Sequence, residues 1–177
     1  MRVRRVTQLA VFVAAGALVA AGWYLGSPLF IRTTRNEPAP TLAIGTSRAS
    51  LAPGATPLAV ISAEALTSVV ARGELQYVDS LHNGTGAVVV MRVGVRHFLR
   101  FEDVAITNAP DVHVYLSRET GGRWNESSSL YLGPLTATDG AFNYEIAAGT
   151  DLSLYRSVVV WCRAFSVLVT WADLQPA

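Results

Sequence analysis

The chain has 177 residues, of which 51% are apolar and 15% are charged. That length suits one domain with an additional segment. So apolar a composition is typical of a chain that contains a membrane segment. Residues 1–57 carry six Arg and one Glu, a balance of +5, whereas residues 58–177 carry eight Arg and twelve acids, a balance of −4. The negative second part argues against nucleic acid as a partner. The single cysteine excludes a disulfide framework within the chain.

The N-terminal segment is typical of a signal anchor. Three Arg stand among the first five residues, and an uncharged run follows from Val6 to Ile31. As a helix, its 18-residue centre, Leu9–Gly26, spans roughly 27 Å, close to the ~30 Å hydrocarbon thickness of a lipid bilayer. We predict a cytoplasmic N-terminus over 1–7 and a transmembrane anchor over 8–31, which makes the chain a single-pass cell-membrane protein with an extracytoplasmic domain. The alternative is a signal peptide cleaved near Ala20-Ala21-Gly22, which also exports the domain.

Two regions of different composition follow this segment. Residues 32–57 are rich in Pro, Ser, Thr and Ala without any periodic pattern, which predicts a flexible linker. Residues 58–177 alternate short β-branched runs with turn residues, which predicts an all-β domain, an antiparallel β-sandwich or barrel-like fold of about seven to nine strands. A short helix is an option at Ala63–Val70. The predicted strands are Gly73–Asp79, Gly86–Val93, Arg96–Glu102, Val112–Ser117, Phe142–Ile146, Ser157–Ala164 and Ser166–Trp171.

The run Val158–Cys162 is apolar at every position. A strand of this kind is buried on both faces, so it should lie centrally in its sheet. In an antiparallel sandwich one face meets the opposite sheet. The other face therefore needs a cover of loops or of a neighbouring sheet.

Several blocks of the domain resemble the DM-thirteen family. The specific ones are Ala109–Ser117 (APDVHVYLS) and Val158–Phe165 (VVVWCRAF), and weaker matches extend over nearly all of 73–174. The stretch Ser27-Pro28-Leu29-Phe30 is similar to that of bacterial membrane-anchored members. The chain departs from the family pattern at Phe142 and Ala147, where members usually have Gln and Pro.

The resemblance implies electron transfer at a cell surface, with Cys162 as a redox thiol or as a ligand of a prosthetic group. Haem or copper would suit a thiolate with an imidazole, and His82 is then the candidate partner. The residues themselves leave an alternative open. Burial raises a thiol pKa, and Cys162 in its apolar run is equally consistent with a small hydrophobic residue of the core.

Other side chains are candidates for ligands or contact residues. His113 alternates with Val112 and Val114, so it should lie on the face opposite two apolar residues. His97 and the pair Glu102-Asp103 fit ordinary strand and turn positions, and Asp111 is expected to bond nearby backbone N–H groups. Trp124 lies in the polar stretch Gly121–Ser129, which makes it a candidate binding-loop residue unless it folds back on the domain.

Two functions follow from the sequence. The first is a membrane-tethered extracytoplasmic domain that takes part in electron transfer or redox chemistry through its single cysteine, with an unknown redox partner. The second is a non-catalytic cell-surface module that binds a partner through its loops. The motifs of hydrolases, P-loop proteins and dinucleotide-binding enzymes do not occur, so the sequence leaves open whether the protein is an enzyme.

Overall fold

The computed structural model describes residues 2–27, 31–42 and 67–177. Within these residues one long helix, α1 (Arg2–Gly26), precedes ten strands. The strands are β1 (Thr34–Asn36), β2 (Thr67–Glu74), β3 (Gly84–Val93), β4 (Arg96–Ile106), β5 (Val112–Ser117), β6 (Leu130–Pro134), β7 (Asp139–Ile146), β8 (Ser157–Cys162), β9 (Val167–Asp173) and β10 (Gln175–Pro176).

The strands form two packed sheets. The six-stranded sheet has the order β1-β7-β4-β3-β2-β10 and the four-stranded sheet the order β6-β5-β8-β9. Every pairing is antiparallel except that of β1 with β7. The predicted mainly β sandwich is confirmed. Ten strands occur in the described residues instead of seven to nine because β1, β6 and β10, all sheet edges, lack the long apolar alternation that reveals interior strands.

Two local predictions near the start of the domain are wrong. The strand expected over Gly73–Asp79 is instead β2, which begins at Thr67 and ends at Glu74. The optional helix at Ala63–Val70 is absent over 67–70, which belong to β2; its first four residues lie outside the described ones. β-branched Thr67, Val69 and Val70 fit a pleated strand that pairs with β3 better than a helix.

The first part of the predicted linker is ordered against the domain. Thr34–Asn36 forms β1 and pairs with β7. Arg32 donates from Nε and Nη2 to the carboxylate of Asp139, at 2.8 and 2.5 Å. Glu37 accepts from the backbone N–H and the side-chain amide of Asn143, each at 2.9 Å. The expectation of an irregular segment is therefore wrong for these residues. Polar side chains bind them to the domain, and such contacts leave no periodic pattern in the sequence. Residues 43–57 lie outside the described ones.

The core lies between the sheets. Alternate residues of β5 and β8, from Val112 to Leu116 and from Val158 to Cys162, face alternate residues of β3, β4 and β7. Phe101 stacks on Phe142 with ring centroids 4.9 Å apart. β8 lies between β5 and β9, which confirms its predicted central position. The Gly94-Val95 connection between β3 and β4 has φ +62° at Gly94, as a two-residue hairpin with Gly in first place requires.

The apolar side chains of helix α1 that the structure describes are exposed. Phe12, Leu18 and Trp23 are each about three-quarters exposed. Among the described residues, no helix has the length and apolar character needed to cross a membrane. The transmembrane anchor predicted over 8–31 has no support from the structure.

Candidate functional site

The outward face of the four-stranded sheet carries a group of aromatic side chains. In β5, Val112, Val114 and Leu116 point into the core. His113 and Tyr115 must therefore point outward, because side chains alternate along a strand. We call the group formed by His113, Tyr115, Trp124, Tyr131, Trp161 and Arg163 the outer-face cluster.

The rings of the outer-face cluster form a continuous series. Tyr131 lies 5.5 Å from His113 and 5.3 Å from Tyr115, measured between ring centroids. Trp124 lies 4.5 Å from Tyr115 and 4.9 Å from Trp161. Trp161 is also the cross-strand partner of His113 in the β5–β8 register. These separations are those of contacting aromatic pairs, so five rings share one surface.

Arg163 is the cation of the outer-face cluster. Its Nε donates to the Tyr115 hydroxyl at 2.7 Å, and its guanidinium lies 4.8 Å from the Tyr131 ring centroid. Burial raises the pKa of Tyr115, and the hydrogen bond from Arg163 opposes that rise in part. The guanidinium therefore places positive charge against two π faces, an attractive arrangement.

A hydrogen-bonded series joins three side chains at one edge of the outer-face cluster. His113 Nδ1 lies 2.9 Å from the Tyr131 hydroxyl, and His113 Nε2 lies 2.7 Å from Asp111 Oδ1. The prediction that Asp111 bonds backbone N–H groups is wrong: its carboxylate holds the imidazole instead. Asp111 adopts φ +56°, a left-handed conformation that Asp tolerates better than most residues.

The loop between β5 and β6 covers this sheet face. Val159 points outward, yet it is fully buried. A Cβ placed on Gly122 would lie 2.7 Å from Leu168 Cδ2 and 3.0 Å from the Trp171 ring, so the loop backbone rests directly on β9. Trp124 packs between Tyr115 and Trp161 and is half-buried. The expected loop cover of Val158–Cys162 is confirmed, and Trp124 folds back onto the sheet.

A shallow groove opens beside Trp124. Its lining consists of Trp124, Glu126, Trp161, Arg163 and Ser166, and its volume is about 530 Å³. Arg163 Nη2 and Glu126 Oε1 are 3.4 Å apart across it. The groove therefore offers two indole surfaces and one charge of each sign.

Cys162 lies on the opposite face of the same strand. It is fully buried in the core cluster. Its thiol donates a hydrogen bond to the Pro110 carbonyl oxygen at 2.9 Å. A buried thiol that already donates a hydrogen bond is protected from reagents. This position matches the alternative that Cys162 is a small hydrophobic residue of the core.

His82 is a turn histidine in a different loop. Its Nδ1 lies 2.9 Å from Asp79 Oδ2, and Asp79 Oδ1 also accepts from the backbone N–H groups of Leu81 and His82, both at 2.7 Å. The bond from the His82 ring, followed by the one from Leu81, lowers the pKa of Asp79. Among the described residues His82 and Cys162 have different hydrogen-bond partners, Asp79 and the Pro110 carbonyl oxygen.

The remaining candidates form no metal site. Glu102 pairs with Arg100 at 3.1 Å and with Arg72 at 3.9 Å. Asp103 occupies an irregular position of β4 with φ +48°, and His97 lies in the six-stranded sheet, opposite Ile146. In the part of the chain that the structure describes, no three His, Cys, Asp or Glu residues are grouped to hold a metal ion. Cys162 is fully buried and its thiol donates to a backbone carbonyl oxygen, so it does not fit the role of a haem or copper ligand.

Tyr115, Tyr131 and Trp161 were not predicted as site residues. Period-2 alternation carries the missing signal: His113 and Tyr115 must share one face if Val112 and Val114 share the other. Trp161 follows in the same way from its position between Val160 and Cys162. Tyr131 had no such signal, because its strand, β6, is short and lies at an edge.

Comparisons with known proteins give one match. The family model described as Electron transfer DM13 matches residues 76–174. That interval includes all of the outer-face cluster, Cys162 and His82. No curated protein and no solved structure matches the chain.

Proposed function

Because the chain belongs to the electron-transfer DM13 family, we propose that the domain passes single electrons at the outer face of its four-stranded sheet. The observation that carries the proposal is the contact series of five rings, each within 5.5 Å of the next. Indole and phenol rings are the protein side chains that lose one electron most readily besides thiols. Contact between them lets the charge move from ring to ring.

The geometry favours this cluster over Cys162 as the place where electrons enter or leave. One-electron oxidation of a thiol releases a proton, and the only polar partner of Cys162 among the described residues is the Pro110 carbonyl oxygen. A carbonyl oxygen is too weak a base to hold that proton. The cluster has an imidazole and a carboxylate beside its phenol. The role of Cys162 in this proposal is packing directly beneath the cluster.

The test uses one-electron oxidation of the full chain. A photogenerated ruthenium(III) tris-bipyridine complex serves as oxidant, and transient absorption follows its reduction by the protein. We expect Trp161→Leu to slow that reduction. Trp23→Leu should leave it nearly unchanged, because Trp23 lies in α1, outside the contact series of rings. Equal slowing by both substitutions would mean that any accessible tryptophan serves, which contradicts the proposal.

The second candidate function is a surface-binding module. The groove of Trp124, Glu126, Trp161, Arg163 and Ser166 favours it, because indole surfaces beside a charged pair suit a planar or sugar-like ligand with polar groups. Tryptophan fluorescence of the full chain during titration with soluble glycans tests this function. Saturable quenching that Trp124→Leu abolishes would support binding in place of electron transfer.

Location of the domain outside the cytoplasm is part of the proposal. The support is the sequence pattern of Arg2, Arg4 and Arg5 ahead of an uncharged run. N-terminal sequencing and membrane fractionation of the produced protein test it. A protein that stays in the cytoplasmic fraction with its first residues intact would contradict it.

A further inference from the structure

The Tyr131–His113–Asp111 series has a defined direction for proton movement. A carboxylate accepts only, so the 2.7 Å contact with Asp111 places the imidazole proton on Nε2 of His113. Nδ1 of His113 is then an acceptor, and the Tyr131 hydroxyl donates to it over 2.9 Å. The phenol therefore already points its proton at a base.

Burial separates the two ends of this series. His113 is only 8% exposed, whereas Tyr131 is 45% exposed. The imidazole thus lies where water competes little for its hydrogen bonds, which strengthens them. The Tyr131 ring remains open to a molecule in solution. An electron can leave through the exposed ring while the proton stays inside.

The surrounding charges favour loss of the proton together with the electron. The Arg163 guanidinium lies 4.8 Å from the Tyr131 ring centroid, so a positive charge on that ring is disfavoured. Glu126 pairs with Arg163 at the groove side. Asp111 supplies the negative charge that stabilises a protonated imidazole at the other end.

From these contacts we infer that Tyr131 is a redox-active tyrosine whose proton is taken up by His113. A one-electron acceptor of high potential, such as a metal-centred oxidant docked on this face, removes one electron from the phenol. The O–H bond breaks, its proton moves to Nδ1 of His113, and a neutral phenoxyl radical remains. The imidazolium keeps its hydrogen bond to Asp111, and reduction of the radical returns the proton to the phenol. This inference rests on the proposed electron-transfer function and adds the group that carries the charge.

The radical itself is the first readout. The full chain is oxidised with the photogenerated ruthenium(III) complex, frozen, and examined by electron paramagnetic resonance. We expect a tyrosyl signal that Tyr131→Phe removes and Tyr77→Phe preserves. Tyr77 is a matched control because it is 64% exposed, yet within the described residues its hydroxyl has no hydrogen bond. A tyrosyl signal that survives Tyr131→Phe would overturn the inference.

The rate of radical formation tests whether His113 accepts the proton. His113→Gln keeps an acceptor oxygen for the Tyr131 hydroxyl but removes the base, so radical formation should slow by on the order of 10²-fold, the low end of what a positioned base contributes. The solvent deuterium isotope effect should change as well, because proton transfer then goes to water. Asp111→Asn tolerates the left-handed backbone of this position and should give a smaller loss. Far-UV circular dichroism confirms that each variant folds.

Three outcomes decide between the inference and the function on which it rests. A tryptophanyl radical that Trp161→Leu weakens and Tyr131→Phe does not would leave electron transfer at the outer-face cluster in place and overturn the tyrosine assignment. A native chain that yields no protein radical would contradict both. Equal rates for native protein and His113→Gln would show that the histidine only fixes the tyrosine in position.

Discussion

Replacing Cys162 with Ala measures what this side chain contributes to packing. The sulfur is fully buried and donates to Pro110. Loss of one heavy atom from the core costs about 1 kcal/mol in transfer and cavity terms, and the hydrogen bond that Pro110 loses adds about 0.5–1 kcal/mol. We expect Cys162→Ala to lower the free energy of unfolding by about 2 kcal/mol, which corresponds to a fall in Tm of about 8 °C.

Urea unfolding followed by far-UV circular dichroism gives that free energy. Cys162→Ser is the matched variant, because its hydroxyl can keep the bond to Pro110 but places a more polar atom in the core. In the native chain, a thiol reagent should react with Cys162 only as the domain unfolds. Fast alkylation of the folded protein at neutral pH, or unchanged stability of Cys162→Ala, would refute the assignment of this residue to the core.

Two further predictions concern the loop that covers the four-stranded sheet and the docking of β1. Gly122→Ala should destabilise the domain more than Gly121→Ala and shift tryptophan fluorescence to the red. Both glycines have positive φ, but only at Gly122 does an added Cβ meet the sheet; equal effects in urea unfolding would contradict a tight loop cover. Asp139→Asn should weaken the docking of β1 by about 0.5 kcal/mol at pH 7, a value typical of an exposed pair. The bonds from Arg32 lower the pKa of Asp139 in the folded state, so this stabilisation is present above the unfolded-state value near 4 and is lost as the pH falls further. Amide hydrogen exchange of Thr138 and Asp139, whose N–H groups donate to Thr33, measures this stabilisation. A protection factor that does not change with pH would argue against the ion pair.

Interior strands were predictable because burial requires a run or an alternation of apolar residues in the sequence. Val112–Ser117 was predicted with its observed bounds, and the apolar run Val158–Cys162 correctly indicated a central strand with a loop cover. The edge strands β1, β6 and β10 were not predicted, although the edge strand β9 was, since a short strand with one neighbour and an exposed face has no fixed alternation. β1 shows the limit most clearly. Ion pairs and amide bonds to residues more than a hundred positions away hold it, and a single sequence does not display such pairs.

The candidate site was predictable only in part. The family resemblance directed attention to Cys162, and the structure places the aromatic face on the other side of the same strand. His113 was correctly placed opposite Val112 and Val114. Its two hydrogen bonds depend on Tyr131, which an edge strand supplies, and on the left-handed turn at Asp111. Neither of these has a local sequence signature.

The most direct test compares the two faces of β8 in one experiment. The full chain, its Cys162→Ser variant and its Trp161→Leu variant are oxidised under identical conditions with the photogenerated ruthenium(III) complex, and the rate of electron donation is recorded for each. Cys162→Ser should match the native rate, because the inner face only packs, whereas Trp161→Leu should be slower. A loss of electron donation in Cys162→Ser with a normal rate in Trp161→Leu would contradict electron transfer at the outer-face cluster and return the role to the cysteine.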